Sequence, residues 1–353
     1  MNVLIIELGG SHIECIYTFV HALNLKKATT HLCCNRKLLP LFPEKDRLAG
    51  ILEMPDQFDF LSQIKSFWAI RKYIRKNKIT HVVINTCELK IIRNLFFFLP
   101  SRLNCTGQVH HAKKLEKSAT FTRILSRKMK KYFVLGDHLL RKTNAYASFK
   151  LASIYPIYFP KFSSNVLQKK SGDCWITIPG GASVERRDYL PLIESIRTGN
   201  LPDGMVFIFL GRYYLDNHVN PEWKKEDWWK KHITHFEQDV PYDLFHEYMS
   251  KSDLILPLIK MEGDSMYGDG RISGSFNLAL GYQKPMLLPE TYHRNEDLRP
   301  FSMYYKNMNE AISILQNIKK DGSLIEAYTT AYDNSPFCNW NLMSEKIVSF
   351  IAS

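Results

Sequence analysis

The sequence predicts an α/β protein made of two Rossmann-like domains facing across a cleft. Three observations carry this expectation. Short apolar runs alternate with amphipathic helical stretches along the chain, the signature of parallel sheets. The plan restarts near the midpoint. Each half opens with an apolar strand running into a glycine pair, Leu8-Gly9-Gly10-Ser11 in one and Pro179-Gly180-Gly181-Ala182-Ser183 in the other. Such a turn lets backbone approach a ligand, and a helix N-terminus behind it favours phosphate. Neither turn matches G-x-G-x-x-G, and there is no Walker motif or short-period repeat, so a dinucleotide site is not expected.

In the first half the expected strands are 3–8, 29–34, 81–85, 107–110 and 132–135, each an apolar run of strand length. Ile13, Ile16, Tyr17, Val20 and Leu23 share a helix face, as do Leu61, Ile64, Trp68 and Ile74 farther on. Residues 154–165, two prolines and then polar residues, read as a connector. In the second half the expected strands are 175–179, 205–210, 233–236, 254–258 and 285–288, with helices near 188–197, 242–251, 274–282 and 307–318. A closing helix follows Trp340, with Leu342, Ile347, Phe350 and Ile351 as its apolar face. The expected domains are therefore 1–158 and 166–335, with 336–353 as a closing helix that packs back on the first.

A length of 353 residues suits two domains, and 45% hydrophobic with 13% aromatic content excludes a disordered or disulfide-stapled class. Apolar runs such as 95–99 fall far short of the ~20 residues a membrane-spanning helix requires. The opening Met1-Asn2-Val3-Leu4-Ile5-Ile6-Glu7 has an acid inside its apolar stretch and reads as a strand, not a signal peptide. Seven cysteines, an odd number without C-x-x-C, indicate a reduced, cytoplasmic protein with no zinc cage. Charge is uneven: residues 1–150 hold 26 of the 47 Lys+Arg and only 10 of the 35 Asp+Glu. The first half is thus net +16 and the remainder net −4, which points to an anionic partner for the first half.

In the second half, Ile178-Pro179-Gly180-Gly181-Ala182-Ser183-Val184-Glu185-Arg186-Arg187-Asp188-Tyr189, a strand, small-residue turn and basic pair, resembles the opening of the donor-binding domain of GT-B glycosyltransferases, especially those related to family 4. Phe207-Ile208-Phe209-Leu210-Gly211 resembles its second strand, and 240–257 the helix and strand before the donor pocket. Ile272-Ser273-Gly274-Ser275-Phe276-Asn277-Leu278-Ala279-Leu280-Gly281 resembles the phosphate-binding helix, which Tyr282-Gln283-Lys284-Pro285 follows into a strand. The likeness covers roughly 175–290; the first half agrees in layout. One departure stands out. Family 4 enzymes carry two glutamates eight positions apart around the donor; here Glu262 is followed eight later by Gly270. Either Asp269 makes the ribose contact or the chain belongs to a divergent branch.

Transfer from a nucleotide sugar needs a stabilised diphosphate leaving group. No D-x-D motif for a metal ion occurs. The resemblance implies metal-independent chemistry, with Arg186 and Arg187 as phosphate-binding guanidinium groups and Ser273, Gly274 and Ser275 opening a helix toward the phosphates. Gly10 and Gly181 are the glycines expected beside the donor, and Tyr242 a candidate wall of the base pocket. Residues 262–271 pack three acids, an arginine and three glycines into a loop beyond a strand end, where α/β sheets bind ligands. For catalysis the candidates are Glu262, His111 of the His110-His111 pair that ends a strand, and His12, just beyond the first glycine pair. Each histidine also has an ordinary structural reading.

Two basic clusters remain: Arg71, Lys72, Arg75, Lys76 and Lys78; and Lys113, Lys114, Lys117, Arg123, Arg127, Lys128, Lys130 and Lys131, with Phe121, Ile124 and Leu125 interleaved. They are solvated helix faces or an attachment to anionic lipid, with Phe121, Ile124 and Leu125 inserting shallowly. The resulting expectation is a cytoplasmic glycosyltransferase, peripheral on the inner face of the cell membrane. It uses a UDP- or GDP-type sugar and a glycan acceptor, lipid-linked, in bacterial surface polysaccharide assembly, and the resemblance implies retention of anomeric configuration. No cofactor and no nucleic-acid partner are expected. The rivals are a nucleotide-sugar epimerase or polysaccharide pyruvyl transferase on a similar fold, and a basic nucleic-acid-binding protein.

Overall fold

The computed structural model describes the chain apart from residues 144–147, 163, 186, 261–270 and 337. Met1–Pro160 and Pro336–Ser353, with Arg271 and Ile272, form one compact unit, and residues 161–260 with Ser273–Ser335 the other. In chain order the first unit contains β1 (Asn2–Glu7), α1 (Ile13–Leu25), β2 (Thr29–Asn35), β3 (Gly50–Met54), α2 (Phe60–Lys76), β4 (His81–Ile84), α3 (Lys90–Leu95), β5 (Asn104–Val109), α4 (Lys113–Lys117), β6 (Lys131–Leu135), α5 (Asp137–Lys142) and β7 (Lys150–Ile154). The second contains β8 (Cys174–Pro179), α6 (Tyr189–Thr198), β9 (Met205–Arg212), α7 (Asp227–His232), β10 (Ile233–Phe236), α8 (Tyr242–Lys251), β11 (Leu254–Ile255), α9 (Gly274–Gly281), β12 (Met286–Pro289), β13 (Ser302–Tyr305), α10 (Met308–Lys320) and α11 (Ser323–Thr330). The last helix, α12 (Trp340–Ala352), belongs to the first unit.

The first sheet has the order β3-β2-β1-β4-β5-β6-β7 and the second β10-β9-β8-β11-β12-β13, with every pairing parallel. This is the doubly wound Rossmann order, written twice. Burial explains it. Val3, Leu4, Ile5 and Ile6 of β1 are wholly inaccessible, because helices cover both faces of a parallel sheet. In each sheet the winding reverses once, between β1 and β4 and between β8 and β11. Crevices open outside the carboxyl ends of strands at such points.

Three strands lie outside the sequence expectation: β3, β7 and β13. All are sheet edges. An edge strand is covered less completely, so its sequence need not be an apolar run; β3 is half-buried along most of its length. The helix faces also need correction. Phe67, Ile70 and Ile74 form the buried stripe of α2, while Leu61 and Trp68 face outward. In α12, Met343 joins Ile347, Phe350 and Ile351 inside, and Leu342 is exposed.

Helix α12 packs against α1. Trp340 meets the His21 ring edge-on at 4.9 Å, Phe350 packs on Phe133 at 4.7 Å, and the Lys131 ammonium donates to the Ile351 carbonyl at 2.8 Å. That contact removes Lys131 from any lipid-facing role. Phe121 and Leu125 are core residues too, only 2% and 0% exposed, with Phe121 against Tyr132. The expected shallow insertion of Phe121 and Leu125 is therefore overturned: their apolar surface is already covered by their own domain.

Candidate functional site

At the first reversal, Glu7 ends β1 with its carboxylate fully buried. It accepts the Gly9 N–H at 2.6 Å on one oxygen, and Asn85 Nδ2 at 2.7 Å and the Thr86 hydroxyl at 2.6 Å on the other. Burial outweighs these donors and raises its pKa. Asn85 also donates to the His12 carbonyl at 3.2 Å, so the segments following β1 and β4 are tied together. A Cβ at Gly9 would lie 2.9 Å from Glu7 Oε1, so the carboxylate would have to shift from its donors. Gly10 faces open space.

His12 caps α1 in the left-handed region, φ 64°, a conformation uncommon outside glycine. Its Nδ1 is 3.3 Å from Glu14 Oε1, and Nε2 has no partner among the described residues. Burial opposes protonation of His12, but the Glu14 hydrogen bond and charge, with the charges of Glu7 and Glu88, prevail and raise its pKa. The ring stacks on His110 with centroids 3.7 Å apart. His110 is itself held at Nε2 by the Asn85 carbonyl at 3.1 Å. Burial, followed by the charge of His12, pushes His110 down to about 3, so it is the neutral member of the pair.

Glu88 organises the neighbouring backbone. Its Oε1 accepts the N–H groups of His110 and His111 at 2.6 and 2.8 Å, and burial raises its pKa. Burial lowers that of His111. Asn85 Oδ1, Glu88 Oε2 and His111 Nδ1 are buried polar atoms with no hydrogen-bond partner among the described residues. Native proteins rarely leave such groups unpaired, so their concentration at one strand-end crevice marks a place for a polar ligand. Glu7, Glu14, Asn85 and Glu88 escaped sequence reasoning; an acid inside the apolar run of β1 was the available signal.

At the second reversal, Arg187 bridges strand ends. Its guanidinium donates to the Pro179 carbonyl at 2.5 Å, to the Pro257 carbonyl, and to the Ser275 hydroxyl at 3.2 Å. Gly180 has φ 101°, and a Cβ there would meet Arg187 Nη2 at 2.9 Å. Gly211 is equally constrained, because a Cβ would come within 2.5 Å of the Gly180 backbone. Gly181 is exposed with ordinary space around it. The Ser273 side chain caps α9, receiving the Ser275 N–H at 3.4 Å, while Gly274 opens onto free space. Tyr242 starts α8 in an aromatic group with Phe162 and His246, at centroid distances of 5.4 and 4.5 Å. Arg186, Glu262 and Asp269 lie outside the described residues.

A cavity of about 580 Å³ exists elsewhere in the second unit, lined by Cys174, Asp253, Lys284, Pro285 and Lys319 among others. It lies at the amino ends of β8, β11 and β12, opposite the reversal, so cavity size and chemistry part company here. Sheets of this kind bind their ligands at the carboxyl ends of the strands, where the unpaired polar groups gather. Among the described residues, no group of three or more His, Cys, Asp or Glu is gathered in a way that could hold a metal ion, and no helix is long and apolar enough to cross a membrane.

No protein-family model and no curated protein matches the sequence. Solved structures do match along its whole length. A glycosyltransferase from Rickettsia africae superposes with a TM-score of 0.64 at 13% identity, covering 99% of this chain and 97% of that one. A putative UDP-N-acetylglucosamine 2-epimerase from Listeria monocytogenes gives 0.63 at 13% identity, covering 100% and 96%. S. aureus MnaA, solved with UDP, gives 0.59 at 14% identity, covering 99% and 96%. With its two successive Rossmann-ordered sheets and these full-length superpositions, the chain has the GT-B fold.

Proposed function

We propose that this protein is a glycosyltransferase that moves a sugar from a nucleoside diphosphate sugar to a hydroxyl of a glycan acceptor. The observation that carries the reading is His12: a histidine at the strand-end crevice of the first sheet, its Nδ1 held by Glu14 and its Nε2 with no hydrogen-bond partner among the described residues. That is the arrangement of an oriented general base. In the proposed step Nε2 takes the proton from the acceptor hydroxyl as its oxygen forms a bond to the anomeric carbon. The bond from that carbon to the diphosphate breaks, and the nucleoside diphosphate leaves with the electron pair. Glu14 stabilises the imidazolium so formed. Base-assisted direct displacement supports inversion at the anomeric carbon, in place of the retention that the family 4 resemblance implies.

On the second unit, the start of α9 offers backbone N–H groups and a favourable dipole to the departing phosphates. The role proposed for Arg187 is to fix the ends of β8 and β11 around that place; Arg186 remains the proposed direct phosphate ligand. The acceptor is proposed to be lipid-linked, in surface polysaccharide assembly, because a net +16 in residues 1–150 suits a diphosphate-bearing lipid and the membrane around it.

Likeness to UDP-N-acetylglucosamine 2-epimerases supports one alternative, an epimerase acting on the same donors. A thermal-shift panel of UDP, GDP, ADP, CMP and their sugars identifies the donor, since a ligand stabilises by about 2.7 kcal/mol at a hundredfold excess over Kd. NMR of the stabilising nucleotide sugar, with and without a lipid-diphosphate glycan, then separates the readings. Consumption that requires acceptor supports transfer; a new nucleotide-sugar epimer without acceptor overturns it.

A further inference from the structure

Helix α2 turns an unusual surface outward. Phe60, Leu61 and Trp68 are 75, 67 and 58% exposed, and Phe97, just beyond α3, is 66% exposed. At 100° per residue, Leu61, Lys65, Trp68, Lys72 and Arg75 fall on one stripe, opposite the buried Phe67, Ile70 and Ile74. Over its 17 residues α2 contains Lys65, Arg71, Lys72, Arg75 and Lys76 and no acid. Large apolar side chains are normally scattered on a soluble surface, not interleaved with cations along one helix face.

The patch is also held rigidly. Lys128 donates to the carbonyls of Phe96 and Leu99, both at 2.7 Å, and Arg71 to that of Phe98 at 3.0 Å. The Trp68 ring meets Phe98 edge-on at 6.1 Å, with the Arg71 guanidinium 5.8 Å from the Trp68 ring centre. Two cations thus fix the loop that carries the exposed Phe97, next in sequence to the Phe98 ring that meets Trp68.

We propose that α2 and the 96–99 loop form a membrane-docking surface, laid flat on anionic phospholipid headgroups with Leu61, Trp68 and Phe97 entering the interface. Charge complementarity selects this occupant: an acid-free cationic helix matches a continuous anionic plane, and Trp and Phe are suited to the headgroup boundary. The surface differs from the 113–131 segment, whose Phe121 and Leu125 are core residues. The inference draws its purpose from the lipid-linked acceptor proposed above, but vesicle binding and sugar transfer are read separately.

The test is cosedimentation of the full chain with phosphatidylglycerol–phosphatidylcholine vesicles and with phosphatidylcholine alone. Binding is expected only to the anionic vesicles, and raised salt should release it. The double variant Trp68→Ser with Phe97→Ser should lose about tenfold in partitioning. The triple variant Lys65→Gln, Lys72→Gln and Arg75→Gln should lose about tenfold or more. Both should keep the wild-type melting temperature and UDP affinity, since only exposed side chains change. A control, Lys117→Gln with Arg123→Gln and Arg127→Gln, should lose much less. Wild-type binding by the α2 variants, an equal loss in the control, or no preference for anionic vesicles would each overturn the proposal. Vesicle binding without sugar transfer would sink the transferase reading alone.

Discussion

The imidazoles of His12 and His110 lie face to face, 3.7 Å between centroids with planes 26° apart, and their environments drive their proton affinities in opposite directions. Burial keeps His110 neutral; carboxylates, led by Glu14, draw a proton toward His12. A neutral partner under a charge-bearing ring lets the stack persist in either state of His12.

The base assignment makes a prediction about pH. A general base works deprotonated, and the His12 pKa is raised above its usual 6.5, so the acid limb of kcat/KM should fall above pH 6.5. In Glu14→Gln the hydrogen-bonded charge is gone and burial remains, so the limb should move down. His12→Ala should cost about a hundredfold to ten-thousandfold in kcat. An unchanged pH profile in Glu14→Gln would dismiss the pair.

For Arg187 the expected effect is on stability. Arg187→Met uncouples the Pro179 and Pro257 carbonyls and should destabilise the protein by about 1.5–3 kcal/mol, less for the exposed part of the side chain. Arg187→Lys should not rescue it, since one ammonium cannot reproduce the guanidinium fork. Thermal unfolding decides. By contrast, Arg186→Ala should leave the melting temperature in place and raise nucleoside diphosphate Kd about tenfold, as loss of a charged hydrogen bond does.

Acid should weaken the fold through its buried histidines. His110 and His246 are held at about 3 and His21 at about 4, chiefly by burial, against 6.5 in the unfolded chain. The sign follows: their contribution is present above pH 6.5 and is lost as pH falls toward the folded values, because the unfolded chain binds more protons. His246 also packs its ring on Phe162 at 4.0 Å. His246→Gln should therefore lower the melting temperature at pH 7 and flatten its decline between pH 6.5 and 4. A parallel shift with no change of slope would contradict this.

Transfer is expected to persist in excess EDTA, because the helix start and basic side chains are proposed to stabilise the leaving group. Loss of activity restored by Mg²⁺ or Mn²⁺ would refute that.

Much of the fold was legible, because central strands of a parallel sheet must be apolar on both faces. The glycine turns marked both reversals: Gly180 takes a positive φ against Gly211, whose Cβ would meet backbone, and a Cβ at Gly9 would displace the Glu7 carboxylate. Edge strands β3, β7 and β13 were not legible, being short and covered on fewer sides. At the site, the sequence offered His12 and His110-His111 but not their partners. Glu7 and Glu88 acquire meaning only when β1, β4 and β5 stand side by side, a relation set by sheet order and not by local spacing. Arg187 was found as a phosphate candidate, while its engagement with two carbonyls depends on where β8 and β11 end.

The position of α12 bears on the order in which the molecule is made. The first unit lacks a covering over α1 until a helix arrives that is encoded beyond the entire second sheet. During synthesis, domains ordinarily fold from the N-terminus as they emerge. Here the surfaces met by Ile347, Phe350 and Ile351 gain their cover only once the last helix has been made, after the whole of the second sheet. A truncation that removes α12 thus strips a buried face from the first unit, although the residues lost lie at the far end of the sequence.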